Sequence, residues 1–339
     1  MKKLALLLIG LLVAPTLLLT SCDRGDDPSD GGNTVATPAF ELMKDYMVAN
    51  SMDIPKIIKN SDDEKFVAPA PAEADLQAFL DKYYIIDIRD AATYAAGHIE
   101  GAKLVAFSDI LTEAPNAGSK PILVVCFTGQ TACYATALLR MYGYKHTRAL
   151  KWGMSGWNPA TAGPWNGKIG LEPANGHTNW SYSVAPSNNI FADPEISTFL
   201  NSGDDILKER VEAIVTAGFG AATVSGSDVL NNPGNYFINN YFSESDYLGF
   251  GHIANAYRIL PLTLADNEYK GLNPDAEVVT YCYTGQTSAV MTACLRVLGY
   301  NAKTMTFGMN GIYNTNPAWS ANQWGVSGNP KNLPLVTSN

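Results

Sequence analysis

Four short runs of β-branched and apolar residues, each bounded by turn residues, punctuate the chain: Tyr84 to Ile88, Ile122 to Val125, Glu277 to Tyr281 and Lys303 to Phe307. Runs that stay apolar without a polar alternation predict strands covered on both faces, as in a parallel sheet. The second and third runs each lead into a short glycine loop. After each loop comes a segment of helical period, Ala132 to Met141 or Ser288 to Val297, closed by Gly143 or Gly299. Strands alternating with helices predict an α/β fold in which helices flank a parallel sheet on both faces.

The pattern occurs twice. CFTGQTACYATALLRMYGY, from Cys126, aligns without a gap with CYTGQTSAVMTACLRVLGY, from Cys282, an offset of 282 − 126 = 156. Gly97-His98-Ile99 matches Gly251-His252-Ile253, and Gly153-Met154 matches Gly308-Met309, at nearly the same offset. A spacing this long is a domain duplication rather than a short-period solenoid. Two domains also suit a chain of 339 residues, since one core serves about 100–200. The expected boundaries are residues 40–165 and 191–325, joined by a connector at 166–190 that is dense in Gly, Pro, Asn and Trp. Residues 326–339 read as a C-terminal tail.

The first residues read differently. Lys2 and Lys3 precede an apolar run from Leu4 to Leu19 that stops at Thr20, Ser21 and Cys22. Charged, apolar and small residues in that order mark a secretory signal over 1–21, and roughly 16 apolar residues are short for a membrane span of about 20. The ending LLLTSC resembles the bacterial lipobox. That resemblance implies lipidation of Cys22, a tether over 22–39 rich in Asp, Gly, Ser and Pro, and a bacterial cell-envelope protein on the periplasmic or outer-surface face. The sequence assigns neither the leaflet nor an oligomeric state. A net charge of −9 and a pI near 4.9, with no basic cluster after residue 3, exclude a nucleic-acid groove.

Beyond Cys22 there are four cysteines, Cys126, Cys133, Cys282 and Cys294. They form no CxxC pair and have no His at ligand spacing, so no metal site is expected. Cys126 and Cys282 end predicted strands, where α/β sheets place ligands. Loop amides and the start of the following helix can converge there on sulfur, favouring thiolate or persulfide anion, so alkylation of Cys126 is expected to titrate below the free-cysteine value of about 8.5. Gly129 and Gly285 suit a loop that curls round an anion, and Thr131 and Thr287 suit helix caps. Cys133 reads as a packed helical thiol, with a resolving role for Cys126 as the alternative.

The loop at Cys126 resembles the active site of rhodanese-like sulfurtransferases. So does IIDIRDAATYAAGHIEGA (residues 85–102), similar to that family's opening Asp-x-Arg, aromatic and Gly-His-Ile-x-Gly-Ala motifs, and so does the closing LKWGMSGWN (150–158). The resemblance is strong over roughly residues 70–160 and weaker over 235–315. It implies that Cys126, and with it Cys282, takes a sulfane sulfur from a small donor, holds it as persulfide and passes it to a thiol or other nucleophile. No external cofactor is implied. Phe127, Thr128, Gly129, Gln130 and Thr131 would cradle the anion in the first loop, and Tyr283, Thr284, Gly285, Gln286 and Thr287 in the second. Asp87 and Arg89 would form a scaffold ion pair and His98 a structural turn.

Family members that handle thiosulfate commonly carry Arg or Lys in this loop, whereas neither loop here does. This turns the expected donor towards persulfides, polysulfides or a protein thiol. In the second copy, aligning on Gly-His-Ile sets Tyr241 and Ser243 against Asp87 and Arg89, and Ile312 against Trp157. Cys126 is therefore the expected leading site. The alternative from another class is a non-catalytic module that binds partners or senses oxidants through the same thiols.

Overall fold

The computed structural model describes residues 37–338; the segment expected to be a signal, the expected lipidation site Cys22 and most of the expected tether lie outside the described residues. Helices α1 (Ala39–Ala49) and α2 (Ile54–Ile58) lead into the first α/β unit. It comprises β1 (Val67–Ala68), α3 (Leu76–Lys82), β2 (Tyr84–Asp87), α4 (Ala91–Ala96), β3 (Lys103–Leu104), α5 (Ile110–Glu113), β4 (Ile122–Val125), α6 (Gln130–Met141) and β5 (Arg148–Leu150). A short helix α7 (Gly163–Asn166) and strand β6 (Trp180–Ser181) begin the connection to the second unit. That unit runs through α8 (Gly203–Ala217), β7 (Thr223–Val224), α9 (Gly226–Asn231), β8 (Phe237–Asn240), α10 (Glu244–Phe250) and β9 (His252–Ile253). It continues with β10 (Val278–Tyr281), α11 (Gln286–Val297), β11 (Ala302–Met305) and α12 (Gly308–Tyr313).

The first sheet has the order β1-β5-β4-β2-β3 and the second β7-β11-β10-β8, and every pairing within them is parallel. All four residues of β4 and all four of β10 are buried. This accounts for their unbroken apolar character, because helices cover both faces of a parallel sheet. β6 pairs antiparallel with β9.

The two units join through the helices that follow the cysteine loops. α6 and α11 pack against each other, and nearly every residue of both is buried. Apolar side chains from both domains form one continuous core around this pair.

The first and last described segments cross between the units. α1 packs on α8 of the second unit, with Phe40 and Tyr269 rings 5.6 Å apart. The Asp53 carboxylate accepts from the amides of Leu264 at 2.8 Å and Ala265 at 3.1 Å. In return, residues 331–338 lie on the first unit. The Trp157 indole donates to Pro334 O at 2.8 Å, the Leu333 amide donates to Trp157 O at 3.2 Å, and Val336 forms a bridge with His98.

Candidate active site

Cys126 follows the last residue of β4, the central strand, and Cys282 follows β10. Both are nearly enclosed, at 3% and 2% exposure. The Cys126 sulfur accepts from the Gly129 amide at 3.2 Å and the Ala132 amide at 3.3 Å. The cradle is thus narrower than the run 127–131 and shifted one residue into the helix. Among its expected members, Phe127 O accepts from Ser155, Thr128 O accepts from the Trp165 indole, and the Gln130 side chain turns away from the sulfur, its Oε1 accepting from the Phe307 amide. Thr131 and Thr287 do not cap. Gly129 and Gly285, in the left-handed region at φ 86° and 74°, stand at the N-caps of α6 and α11 with no side-chain cap.

The second site replaces Ala132 with Ser288. Its amide donates to the Cys282 sulfur at 3.4 Å, and its hydroxyl lies 3.6 Å from that sulfur and 2.7 Å from the Thr304 hydroxyl. Ser288 was missed as a site residue, although the gapless alignment of the two loops places it opposite Ala132.

The electrostatics of Cys126 run against the expectation from its loop. Burial pushes the thiol pKa up, outweighing the amides of Ala132, Thr128 and Gly129 that pull it down, and the Asp87 charge adds to the rise. With no cation in the loop, amide dipoles alone do not offset removal from water. Alkylation of Cys126 by iodoacetamide should therefore accelerate with pH through a midpoint above that of free cysteine, because the thiolate is the reacting form. A midpoint at or below the free value would contradict this placement. Cys133 is fully buried; burial first, and then proximity to both Cys126 and Cys282, raise its pKa further. All four described cysteines are free thiols.

Asp87 and Arg89 form a buried fork. The Arg89 Nη2 donates to Asp87 Oδ2 at 2.6 Å and to Gly97 O at 2.8 Å, with Nε 3.0 Å from Oδ1. The guanidinium also lies 5.7 Å from the Phe127 ring centroid, so the pair buttresses the cysteine loop. Strand register corrects the alignment of the second copy. Asp87 pairs with Val125 and Asn240 pairs with Tyr281, each one residue before its cysteine. The counterparts of Asp87 and Arg89 are therefore Asn240 and Phe242, not Tyr241 and Ser243. Ser243 matches Asp90, both being N-caps. One residue is inserted between Tyr247 and His252 relative to Tyr94 and His98, and counting back from Gly-His-Ile carries that insertion into the strand. Phe242 stacks on Tyr283 at 4.2 Å, an uncharged substitute for Arg89 over Phe127.

His98 stacks on Tyr94 at 3.8 Å and its Nδ1 meets Tyr94 O at 2.9 Å. His252 repeats this on Tyr247 at 3.7 Å, with burial lowering its pKa. Both rings are thus occupied in turns.

A cavity of about 680 Å³ opens beside the second loop, where Tyr283, Thr284, Gln286 and Thr287 form one wall. The first unit supplies the opposite wall, where the cations Lys65, Arg148 and Lys151 stand with the carboxylates Asp63 and Glu64. The Lys151 ammonium donates to Asn322 Oδ1 at 2.9 Å; its pKa is lowered by burial and then by the like charge of Lys65. Three basic groups of the other domain thus line the cavity beside the second loop, against two carboxylates.

Comparison with known families matches the rhodanese-like domain at residues 72–160 and 241–315. Over 76 residues the chain is 36% identical to the thiosulfate sulfurtransferase GlpE of Pseudomonas fluorescens, spanning 22% of this chain and 68% of that protein. With GlpE of Pseudoalteromonas translucida it shares 30% over 84 residues, 24% of this chain and 80% of that protein. Among solved structures, a 3-mercaptopyruvate sulfotransferase from Escherichia coli is 18% identical, covering 76% of this chain and 100% of that one, with a TM-score of 0.26.

Proposed function

The chain belongs to the rhodanese-like family, with two such domains in tandem, and on that premise we propose that it moves sulfane sulfur through cysteine persulfides at Cys126 and Cys282. In the first half-reaction a cysteine thiolate attacks the outer sulfur of the donor. The donor's S–S bond breaks and its remainder leaves with the electron pair. In the second, a thiol or other nucleophile attacks that sulfur, and the cysteine departs as thiolate. The amides of Gly129 and Ala132, or of Ser288, stabilise the anion at each stage. The observation that carries this reading is the sulfur at a buried strand end, met by loop amides, in two copies.

The donor at Cys282 is an anion. Lys65, Arg148 and Lys151 face the second loop across the cavity and outnumber the Asp63 and Glu64 carboxylates there, so they attract an anionic sulfur compound without any basic residue in the loop itself. Thiosulfate, the substrate class in the names of the relatives, thus stands beside organic persulfides as a donor for that site. Cys126 serves as the second site or relay. The work is done in the cell envelope from a lipid anchor at Cys22, a placement that rests on the signal and lipobox pattern.

Mass spectrometry after incubation with thiosulfate or an organic persulfide tests the reading. Gain of one sulfur atom on Cys126 or Cys282, discharged on adding cyanide or thiol, is the expected outcome. A folded protein that takes sulfur from neither donor is instead the non-catalytic module. For the cavity, Lys65→Ala with Lys151→Ala should raise KM for thiosulfate roughly tenfold and leave kcat within a factor of about two. An unchanged KM removes the anion assignment.

A further inference from the structure

The glutamines of the two loops do not face their own cysteines. Gln286 Oε1 accepts from the Trp152 amide at 3.1 Å, and Gln130 Oε1 accepts from the Phe307 amide at 2.7 Å. Each bond runs from one domain to the other, and the two are equivalent under the internal duplication. Trp152 and Phe307 are non-glycine residues held in the left-handed region, at φ 68° and 62°, where the amide finds no place in a helix or strand ladder. Each opens the turn that closes the cysteine loop beside it. In the first domain the Met154 amide donates to Cys126 O at 2.8 Å and the Ser155 amide to Phe127 O at 3.0 Å. In the second, Met309 donates to Cys282 O at 2.9 Å and Asn310 to Tyr283 O at 3.1 Å.

The sequence makes room for this crossing. A Cβ on Gly129 would stand 2.8 Å from Gln286 Oε1, and one on Gly285 would collide with Gln130 Oε1. The loop glycines therefore serve a second purpose beyond their positive φ. Both glutamines are 2% exposed, so no water replaces the acceptor if it is withdrawn.

We infer that Gln130 and Gln286 are crossed positioning residues: Gln286 sets the geometry of the Cys126 loop, Gln130 sets that of the Cys282 loop, and the two thiols are coupled through them. The coupling is not symmetric. The Gln130 Nε2 also donates to Thr128 Oγ1 of its own loop at 3.1 Å, whereas the Gln286 Nε2 has no partner among the described residues. Gln130 is thus tied at both ends, to the first loop and to the turn of the second domain, and disturbance of the first loop reaches Cys282 more directly than the reverse. Coupling rests on the proposed use of both thiols, but alkylation reads their reactivity whatever their cargo.

The test is site-resolved iodoacetamide labelling of the full chain, with Cys126 and Cys282 quantified separately by mass spectrometry. Gln286→Leu should slow Cys126 on the order of threefold to tenfold and leave Cys282 within about twofold; Gln130→Leu should slow Cys282 by a similar factor and Cys126 less, through the lost bond to Thr128. Gln→Glu at either position keeps an acceptor oxygen and should restore most of the rate. If a Leu variant does not fold, Gln→Asn, which withdraws the acceptor by one methylene, gives the same readout. Slowing confined to the thiol of the substituted loop, or equal at both thiols, or absent from both, overturns the assignment. Loss of sulfur loading with crossed labelling intact would instead count against the transfer reaction alone.

Discussion

Cys126→Ser combined with Cys282→Ser abolishes sulfur transfer to cyanide, lowering turnover by at least about 10⁴-fold, because the two remaining described thiols, Cys133 and Cys294, are wholly buried inside α6 and α11. The exchange of sulfur for oxygen at two buried strand ends is close to isosteric, so melting should change little and the loss belongs to chemistry. The single variants then apportion the activity. Cys282→Ser should remove most turnover of thiosulfate, since the cavity that holds Lys65, Arg148 and Lys151 opens beside the loop following Cys282. Retention of full activity by the double variant would end the persulfide mechanism. Retention by Cys282→Ser alone would transfer the leading role to Cys126.

Arg89→Leu should destabilise the protein by about 3–5 kcal/mol, measured by chemical denaturation of the full chain. It strands the Asp87 carboxylate, wholly buried, without its fork of donors. The second domain shows how the same position is built without charge. Asn240 donates to the Tyr281 hydroxyl at 2.8 Å, and Phe242 lies flat on Tyr283. Asp87→Asn with Arg89→Phe should therefore recover much of what Arg89→Leu loses. The recovery is a coupling between contacting residues rather than a sum of single effects. A double variant no more stable than Arg89→Leu would show that the two scaffolds are not interchangeable.

The sheet was legible because β4 and β10 are buried on both faces and so carry no polar alternation. The duplication and both cysteines followed from direct self-comparison. Helix starts were read two residues late, since Gly129 and Gly285 enter α6 and α11 in left-handed backbone and the Thr side chains cap nothing. The alignment of the second opening motif failed through a single insertion before His252, which only strand register reveals. What the sequence could not display is long-range. The partners of Gln130 and Gln286 lie 177 and 134 residues away, so those side chains read as ligands of the nearest cysteine. The cations of the cavity likewise come from β5, the residue after it and the segment before β1, not from the loop they line the cavity with.

The crossed first and last described segments bear on how the molecule is made. Synthesis delivers the first domain complete in sequence long before residues 331–338 exist, yet those residues close over Trp157 and His98. Helix α1, the earliest described element, meanwhile waits for α8. A domain that ordinarily folds as soon as it emerges here lacks the cover over Trp157 and His98 until residues 331–338 have been made, so the surroundings of the first thiol site are completed only after the second domain has been synthesised.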